Sequence, residues 1–370
     1  MSRLGPLHRR RRMRRVSLPT HVLRTAAAVA ATLLGGCAPA TRGVTANVHT
    51  GVVASAASAA ASVTTEYVEA QTVSLALDRI DQQSLPLDRT YRHFGTGSGI
   101  TVYVFDGGIL DTHPELVGRV RRGFNAFPGE EHLCNAHGTA VAGAVAGTTL
   151  GVAPAAEIVD VKMVECRRLR GTIDAIVQGA HWVIADHARH PEHRAIANWS
   201  FIADTAATIP ALDSAVTALI DAGIPVVVSA GNIEMNACRI APANSPGAIV
   251  VGASRVRRMG SDSTARLVDA RTPGTAFGPC LDVFAPGDSV LLPSIEGRLA
   301  TTQLWTGTSM SAGYVSGAIA LYLEAHPTAT PAEVAGHIRA ASRATVVDPT
   351  RSASTGLLYI GSEKPAIASR

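Results

Sequence analysis

The sequence predicts an α/β fold, a doubly wound and mostly parallel sheet with helices on both faces. From Ile100 onward, short β-branched runs such as ITVYVF, AEIVDVKMV, AIANWSF, IPVVVSA and AIVVGAS alternate with helical stretches such as IDAIVQGAHWVIADHA and ALDSAVTALIDAG. The strand runs are almost continuously apolar, which is typical of parallel strands covered by helices on both sides.

Two further helices are expected after residue 309. The stretch MSAGYVSGAIALYLEAHP (Met310–Pro327) has the length and small-residue content of a buried helix that a proline ends. The next stretch, PAEVAGHIRAAS (Pro331–Ser342), begins a second helix with a proline in its first turn. We therefore expect both stretches to belong to the folded part of the chain.

The composition is that of a globular protein without a nucleic-acid partner. The chain has 370 residues, of which 46% are hydrophobic and 17% charged, so it can bury a large core. Its net charge of +4 arises largely from the six arginines of HRRRRMRR (His8–Arg15), and the rest of the chain is close to neutral.

The N-terminal residues 1–37 have the layout of an export signal. A basic block precedes TAAAVAATLL (Thr25–Leu34), an apolar run that is short for a membrane span. The run ends in LGGC, which resembles the lipobox of bacterial lipoproteins, in which the cysteine is lipidated. We expect export, with Cys37 as a lipid anchor on the outer face of the cell membrane; a chance cysteine after Gly-Gly is the alternative.

Residues 38–76 form a different region. They are rich in Ala, Ser, Thr and Val, and ASAASAAAS (Ala54–Ser62) is close to low complexity, which predicts a flexible linker.

Four cysteines, Cys134, Cys166, Cys238 and Cys280, follow in the folded region. In an oxidising compartment they can form two disulfides, with three possible pairings. No two of them have the close spacing of a Cys-x-x-Cys zinc arrangement.

Three polar residues lie where strands end and helices begin. Asp106 ends ITVYVF, His137 opens AHGTAVAGAVAG, and Ser309 opens the long apolar helix. In doubly wound sheets, binding and catalytic groups collect at these junctions. Taken singly, Asp106 is also explained as a capping or turn residue, His137 as a surface histidine and Ser309 as a small packing residue. Taken together, they are the three residue types that nucleophilic acyl transfer requires.

The motifs around these residues resemble those of the subtilisin-like serine proteases, in particular the branch of proteinase K and aqualysin. They are VFDGGI around Asp106, HGTAVAG around His137, SAGN ending at Asn232 and GTSMSAG around Ser309, in the order Asp, His, Ser. The similarity begins at about Leu77, where LDRIDQQSLPLD is similar to the mature start of aqualysin-type enzymes, and runs to about residue 360. It implies a subtilisin-like peptidase domain over residues 77–362.

The resemblance implies an exported serine endopeptidase that acts on protein or peptide substrates as a monomer, without a catalytic cofactor. Ser309 would be the nucleophile, His137 the general base and Asp106 the group that orients the imidazole. Asn232 would donate to the oxyanion together with the backbone N–H of Ser309.

The resemblance also implies how the cysteines pair. The positions are similar to those of the two aqualysin disulfides, which gives Cys134 with Cys166 and Cys238 with Cys280. Each bond would close a loop of a few tens of residues.

A structural calcium site is implied in the same way. Asp282 matches the aspartate of the strong proteinase K site, and the backbone carbonyls of Pro246 and Ala248 match its partners. Such hard oxygen ligands suit calcium. The alternative is that Asp282 is only a residue at the start of a strand.

The substrate-binding residues implied by the resemblance lie in three segments: Arg168, Leu169, Arg170 and Gly171; Ser200, Phe201 and Ile202; Ala230 and Gly231. Here the sequence departs from the family, because Ile202 and Ala203 replace glycines, and this predicts a narrowed specificity pocket. Arg167, Arg168 and Arg170 predict a preference for acidic side chains upstream of the cut, unless they are simply a solvated loop.

The sequence also departs from the family near the catalytic residues and in the propeptide region. Gly107 replaces a Ser or Thr, and Gly313 replaces a Pro, which predicts a looser start of the serine helix. TTEYVEAQ (Thr64–Gln71) is similar to only the last strand of the inhibitory propeptide of the family.

Two other functions compete with a protease. An α/β-hydrolase needs Gly-x-Ser-x-Gly and the order Ser, Asp, His, whereas residues 307–311 read Gly-Thr-Ser-Met-Ser and the serine comes last. The remaining alternative is a catalytically impaired peptide-binding surface protein on the same fold, which the altered cleft favours and the intact motif residues oppose.

Overall fold

The computed structural model describes residues 66–361 except residues 206, 207, 262, 264, 298, 349, 351 and 353. The predicted export signal, Cys37 and most of the predicted linker lie outside the described residues. In the described part of the chain, none of the helices has the length and apolar character needed to span a bilayer.

The described helices separate strands mainly between residues 120 and 229, and five consecutive strands occupy residues 249–305. The helices are α1 (Leu75–Ile80), α2 (His137–Ala146), α3 (Ile173–Arg189), α4 (Pro210–Asp221), α5 (Thr308–Ala325) and α6 (Pro331–Ala341). The first eight strands are β1 (Tyr67–Gln71), β2 (Thr90–Phe94), β3 (Ile100–Asp106), β4 (Val120–Asn125), β5 (Glu157–Lys162), β6 (Val164–Glu165), β7 (Arg170–Gly171) and β8 (Arg194–Trp199). The others are β9 (Val226–Ser229), β10 (Ile249–Met259), β11 (Arg266–Arg271), β12 (Val283–Pro286), β13 (Val290–Glu296), β14 (Leu299–Trp305), β15 (Arg343–Ala344) and β16 (Gly356–Leu357).

The main sheet is predominantly parallel. Its strand order in the described residues is β15-β16-β12-β10-β9-β8-β3-β5-β4, with β11 beside β10. Every neighbouring pair from β16 to β4 is parallel. β15 pairs antiparallel with β16 at one end of the order, and β11 pairs antiparallel with the C-terminal half of the interior strand β10. This arrangement confirms the doubly wound α/β fold class that the sequence predicts.

The core lies in two layers, one on each face of the sheet. Along β3, Val102 and Val104 belong to the cluster that includes residues of α2 and α5, whereas Tyr103 and Phe105 belong to the cluster with residues of α3 and α4. Successive side chains of a strand point to opposite faces. The continuous apolar run ITVYVF is therefore explained by burial on both sides.

Helix α5, which follows Gly307, is largely buried and packs closely on α2. An added Cβ at Gly313 would lie 2.9 Å from Ala144 Cβ and 3.0 Å from the Val141 carbonyl oxygen. Gly313 therefore permits the close approach of the two helices, and α5 runs without interruption to Ala325, two residues before Pro327.

The segment compared with a propeptide strand is paired with the domain in this structure. β1 pairs antiparallel with β2 along its whole length, from Tyr67 opposite Phe94 to Gln71 opposite Thr90. The Tyr67 and Phe94 rings are 5.1 Å apart, and the Arg92 guanidinium lies 3.3 Å from the Glu69 carboxylate. Its origin as a propeptide remnant stays a prediction.

Candidate active site

Asp106 and His137 are brought together at one edge of the sheet. Asp106 is the last residue of the central strand β3, and His137 is the first residue of α2. The His137 Nδ1 atom lies 2.7 Å from Asp106 Oδ2, while Asp106 Oδ1 accepts the Gly107 N–H at 2.7 Å. With Nδ1–H donating to the carboxylate, the Nε2 atom of the neutral ring is free to accept a proton.

The environment of His137 shifts its titration. Packing around the ring disfavours the charged imidazolium, but the Asp106 carboxylate favours it by its charge and its hydrogen bond. The net result is a His137 pKa raised above its ordinary value.

Ser309 is buried at the second position of α5 and is held by a buried hydrogen-bond network. The Ser309 Oγ donates to the Ser200 carbonyl at 3.2 Å, and the Ser200 Oγ donates to the Ser309 carbonyl at 3.0 Å. Asn198 Nδ2 donates to the Ser200 Oγ at 2.8 Å, and Ser316 Oγ donates to Asn198 Oδ1 at 3.0 Å. Transfer of the Ser309 proton to a base would first break its bond to Ser200.

Asn232 has its amide oriented by the helix that carries Ser309. Its Oδ1 accepts the Thr308 N–H at 2.9 Å and the Thr308 hydroxyl at 3.1 Å. The Nδ2 group therefore remains as a donor, in an exposed side chain next to the first turn of α5. The N–H groups of a first helical turn have no partner within the helix, so this corner is suited to a developing negative charge.

Several residues of this site are not predicted from the sequence. Trp305 lies edge-on to the His137 ring, with 6.3 Å between ring centroids, and Asn198 and Ser316 support Ser200. The sequence signals Trp305 only by its place two residues before Gly307, and it gives no local signal for Asn198 or Ser316.

The basic turn predicted to bind substrate lies between β6 and β7. Arg168, Leu169 and Arg170 are exposed, and Leu169 has a positive φ of 50°. Arg168 lies 3.5 Å from the Glu165 carboxylate. The Cys134–Cys166 disulfide joins the start of this turn to the segment just before His137, so the turn is tied to the site.

The second predicted substrate segment lies beside the motif that contains Asn232. An added Cβ at Gly231 would be 3.2 Å from Ile202 Cγ2, so Ile202 occupies the space next to this glycine, whose φ is 107°. Phe201 stacks on Trp199 at 5.5 Å, and Ala230 is buried. Narrowing of a pocket by Ile202 stays a prediction.

The structure contains two disulfides, Cys134–Cys166 and Cys238–Cys280. Their Cα atoms are 4.6 Å and 5.3 Å apart, and the bonds span 32 and 42 positions of the sequence. Cross-links over loops of this length stabilise a fold by about 3–4 kcal/mol in the chain-entropy account.

The residues predicted to hold calcium do not fit that ion in this structure. Asp282 Oδ2 accepts the Val250 N–H at 2.8 Å, and Asp282 Oδ1 accepts from the Arg339 guanidinium at 2.8 Å. Arg339 also lines the cavity of about 480 Å³ that Pro246, Ala248 and Asp282 border. Asp282 is the only carboxylate among the three predicted ligands, and the Arg339 guanidinium already pairs with it. The positive charge that calcium would bring is therefore supplied by Arg339.

We therefore expect calcium to contribute no stability through Asp282. Millimolar calcium should shift the Tm of the wild type and of Asp282→Ala equally, as measured by calorimetry against chelator-treated samples. Arg339→Ala should lower the Tm by about 1–3 °C, as should the control Arg122→Ala, which breaks a comparably exposed ion pair of 2.9 Å with Asp111. A calcium shift that disappears in Asp282→Ala would contradict this expectation.

Comparison with known proteins agrees with this geometry. The model of the subtilase family matches residues 97–358. The "Extracellular serine proteinase" of Thermus sp. (strain Rt41A) is 42% identical over 261 residues, which cover 70% of this chain and 59% of that protein. The "Alkaline serine exoprotease A" of Vibrio alginolyticus is 34% identical over 285 residues, which cover 76% of this chain and 49% of that protein.

The fold is also similar to that of a solved structure. The crystal structure of a cold adapted subtilisin-like serine proteinase superimposes with a TM-score of 0.66 at 33% identity, and the match covers 77% of this chain and 97% of that one. The chain spans 59% and 49% of the length of the two relatives from Thermus and Vibrio.

Fold and site together define a doubly wound α/β protein with an imidazole–carboxylate pair and a serine at a helix start, all at the carboxyl edge of the sheet. The chain belongs to the subtilase family, which confirms the resemblance seen in its motifs.

Proposed function

We propose that the chain is an exported serine endopeptidase that hydrolyses peptide bonds through an acyl-enzyme intermediate. The observation that carries the proposal is the 2.7 Å contact of His137 Nδ1 with Asp106 Oδ2, at the sheet edge where α5 presents Ser309. Its substrates are proteins or peptides, and the chemistry needs no catalytic cofactor.

The first half of the reaction forms the acyl-enzyme. The Ser309 oxygen attacks the peptide carbonyl carbon while His137 Nε2 takes the hydroxyl proton. The resulting oxyanion accepts hydrogen bonds from Asn232 Nδ2 and the Ser309 N–H. When the carbon–nitrogen bond breaks, the imidazolium returns the proton to the leaving amine, and the acyl group remains as an ester on Ser309.

The second half removes the acyl group. His137 takes a proton from water as the water oxygen attacks the ester, and it then gives that proton to the Ser309 oxygen as the acid leaves. Asp106 holds the imidazole in the Nδ1–H form and stabilises the charged ring in both halves.

Export is part of the proposal because the disulfides require an oxidising compartment. The two bonds Cys134–Cys166 and Cys238–Cys280 are typical of secreted proteins. The Thermus relative is named an extracellular serine proteinase. Lipidation of Cys37 remains a separate prediction, which mass spectrometry of the processed N-terminus would test.

The experiment that tests the proposal is labelling of the purified, export-processed protein with a fluorophosphonate probe, followed by mass spectrometry of the modified peptide. We expect the label on Ser309 alone, together with hydrolysis of an unstructured protein substrate. Ser309→Ala should take no label.

Ser311→Ala is the matched control. Ser311 lies two positions further along α5, where its hydroxyl donates to the Ala285 carbonyl at 3.0 Å, and its removal should leave Ser309 labelled. A folded, disulfide-bonded wild type that takes no label and cleaves no substrate would overturn the proposal.

Ile202 is expected to limit the size of the side chain accepted before the scissile bond. Ile202→Gly should raise kcat/KM for peptides with phenylalanine at that position, relative to alanine, by about tenfold, because the branched side chain beside Gly231 is removed. The ratio of the two substrates within each variant corrects for differences in folded fraction. An unchanged ratio would show that Ile202 does not border this pocket.

A further inference from the structure

A second imidazole–carboxylate pair lies close to the first. His132 Nε2 is 2.6 Å from Asp160 Oδ2, the Asp160 side chain is fully buried, and that of His132 is 22% exposed. A buried carboxylate is costly unless it has partners. The catalytic scheme uses neither residue, and the motifs single out neither.

Asp160 projects from the same face of the sheet as Asp106. In the parallel pairing of β3 with β5, Val104 is opposite Asp160 and Asp106 is opposite Lys162. Residues opposite each other and residues two apart on a strand share a face. That face is the one covered by α2, the helix that begins with His137, because Val104 belongs to the core layer that contains α2 residues.

The pair contacts the loop that directly follows Asp106. Asp160 Oδ2 accepts the Ile109 N–H at 2.9 Å, and the Cys134 N–H donates to the Gly107 carbonyl at 2.8 Å. Gly108 has a φ of 102°, and an added Cβ there would collide with the His132 carbonyl oxygen. The segment that contains His132 therefore packs directly on the Asp106 loop.

This loop needs an external support because two glycines follow Asp106. Glycine has the largest conformational freedom of the residues, so Gly107 and Gly108 do not fix the backbone by themselves. The hydrogen bond from Ile109 to Asp160 fixes the far side of the loop, and the contact with His132 keeps Asp160 in place.

We propose that His132 and Asp160 are positioning residues, which hold the loop after Asp106 and thereby keep the Asp106 carboxylate in contact with His137. The proposal rests on the protease function above and extends it. Neither residue touches substrate; both act through Asp106 and His137.

The charged side chains near Asp160 lie on the neighbouring strands β4 and β3 and on β5 itself. Arg122 is opposite it on β4 but is exposed and pairs with Asp111, and Lys162 is buried on β5 with its Nζ 3.7 Å from Glu130 Oε2. On β3, the charge of Asp106 faces it. Burial raises the pKa of Asp160, and the Asp106 charge adds to this, while His132 and the Ile109 N–H favour its ionised form.

The test compares Asp160→Asn and His132→Gln with Glu157→Gln. Glu157 lies at the other end of β5, where it pairs with Arg121 at 3.1 Å, and its substitution removes the same charge. Asp160→Asn should lower kcat by about 10–100-fold with little change in KM, because the catalytic pair is misplaced rather than the substrate site. His132→Gln, which keeps a donor toward Asp160, should lose less, and Glu157→Gln should match the wild type.

The pH profile separates positioning from a structural role. A misplaced Asp106 carboxylate stabilises the His137 imidazolium less, so the His137 pKa should decrease and the acid limb of kcat/KM should move to lower pH in Asp160→Asn. The same decrease should appear in an NMR titration of the His137 ring in the Ser309→Ala background. A lower Tm with unchanged kcat per folded molecule and an unchanged His137 titration would overturn the proposal.

The two proposals fail in different ways. If the wild type takes no fluorophosphonate and cleaves no substrate, the protease function is wrong, whereas the NMR titration in Ser309→Ala still measures the effect of Asp160 on His137. If Asp160→Asn does not fold, His132→Ala, which removes the 2.6 Å contact with Asp160 altogether, provides the comparison. An unchanged kcat per folded molecule and an unchanged His137 titration in that variant would overturn the positioning role.

Discussion

Asp106→Asn is expected to lower kcat for peptide hydrolysis by about 10⁴-fold at neutral pH. Asp106 Oδ2 now accepts from His137 Nδ1 at 2.7 Å, which leaves Nε2 free to take a proton. An asparagine amide that donates toward Nδ1 would favour the opposite tautomer, with the proton on Nε2, and that ring cannot act as the base for Ser309. The rate is measured as steady-state kcat with a chromogenic peptide amide.

The same substitution is expected to change the pH profile. His137 must be neutral to act as a base, so kcat/KM of the wild type falls as the pH decreases through the His137 pKa, which Asp106 raises above the ordinary value of 6.5. Without the carboxylate this pKa decreases, and the acid limb should move to lower pH. An acid limb that stays in place would show that Asp106 does not interact with the catalytic base.

Asp111→Asn is the matched control for this prediction. Asp111 follows Asp106 by five positions, but its carboxylate is paired with the exposed Arg122 at 2.9 Å. Both substitutions remove one negative charge from the same region. Because only Asp106 contacts His137, the control should keep the rate and the pH profile of the wild type.

The parts of the site that the sequence predicts are those that depend on the order of elements. Asp106 follows an apolar strand, and His137 and Ser309 begin helices, so a parallel sheet brings all three to its carboxyl edge. The glycines and small residues around them mark positions where the backbone makes tight turns or close contacts. These signals are local, and the sequence displays them directly.

The parts that the sequence does not predict depend on side chains far apart in the chain. His132 and Asp160 are 28 positions apart, and Arg339 is 57 positions from Asp282. Their contacts are set by which faces of strands and helices meet. A lone histidine or arginine has no periodicity that would indicate its partner, so the calcium prediction for Asp282 overlooked a cation supplied by α6.

The hairpin of β13 and β14 is a similar case. The stretch LATTQLW contains four polar or small residues and is mostly exposed, so it has no strong apolar pattern. It nevertheless places Trp305 against His137. The exposed sequence of β14 does not indicate this role. The contact of Trp305 with His137 follows from the pairing of β14 with β13, which only the structure shows.

Asn232→Ala is expected to lower kcat by about 10²- to 10³-fold with little change in KM. The reason is that the Nδ2 donor acts mainly on the oxyanion, which exists only after Ser309 has attacked, so the bound substrate loses little when the donor is removed. The acidic limb of the pH profile should stay in place, because the His137–Asp106 pair is untouched. Steady-state kinetics with a peptide amide measure kcat and KM separately.

Two further variants show whether the donor itself is responsible. Asn232→Asp keeps the shape and the Oδ1 acceptor for the Thr308 N–H but replaces the Nδ2 donor by a negative charge, so its kcat should fall at least as far. Thr308→Val removes the hydroxyl, which donates to Asn232 Oδ1 at 3.1 Å and accepts the Gly231 N–H at 3.2 Å. It should lower kcat less than Asn232→Ala, because the Thr308 N–H at 2.9 Å still orients the amide and the Nδ2 donor is kept. If Asn232→Asp retained the wild-type kcat, the oxyanion would have to be stabilised by backbone N–H groups of α5 alone, and Asn232 would be only a cap on that helix.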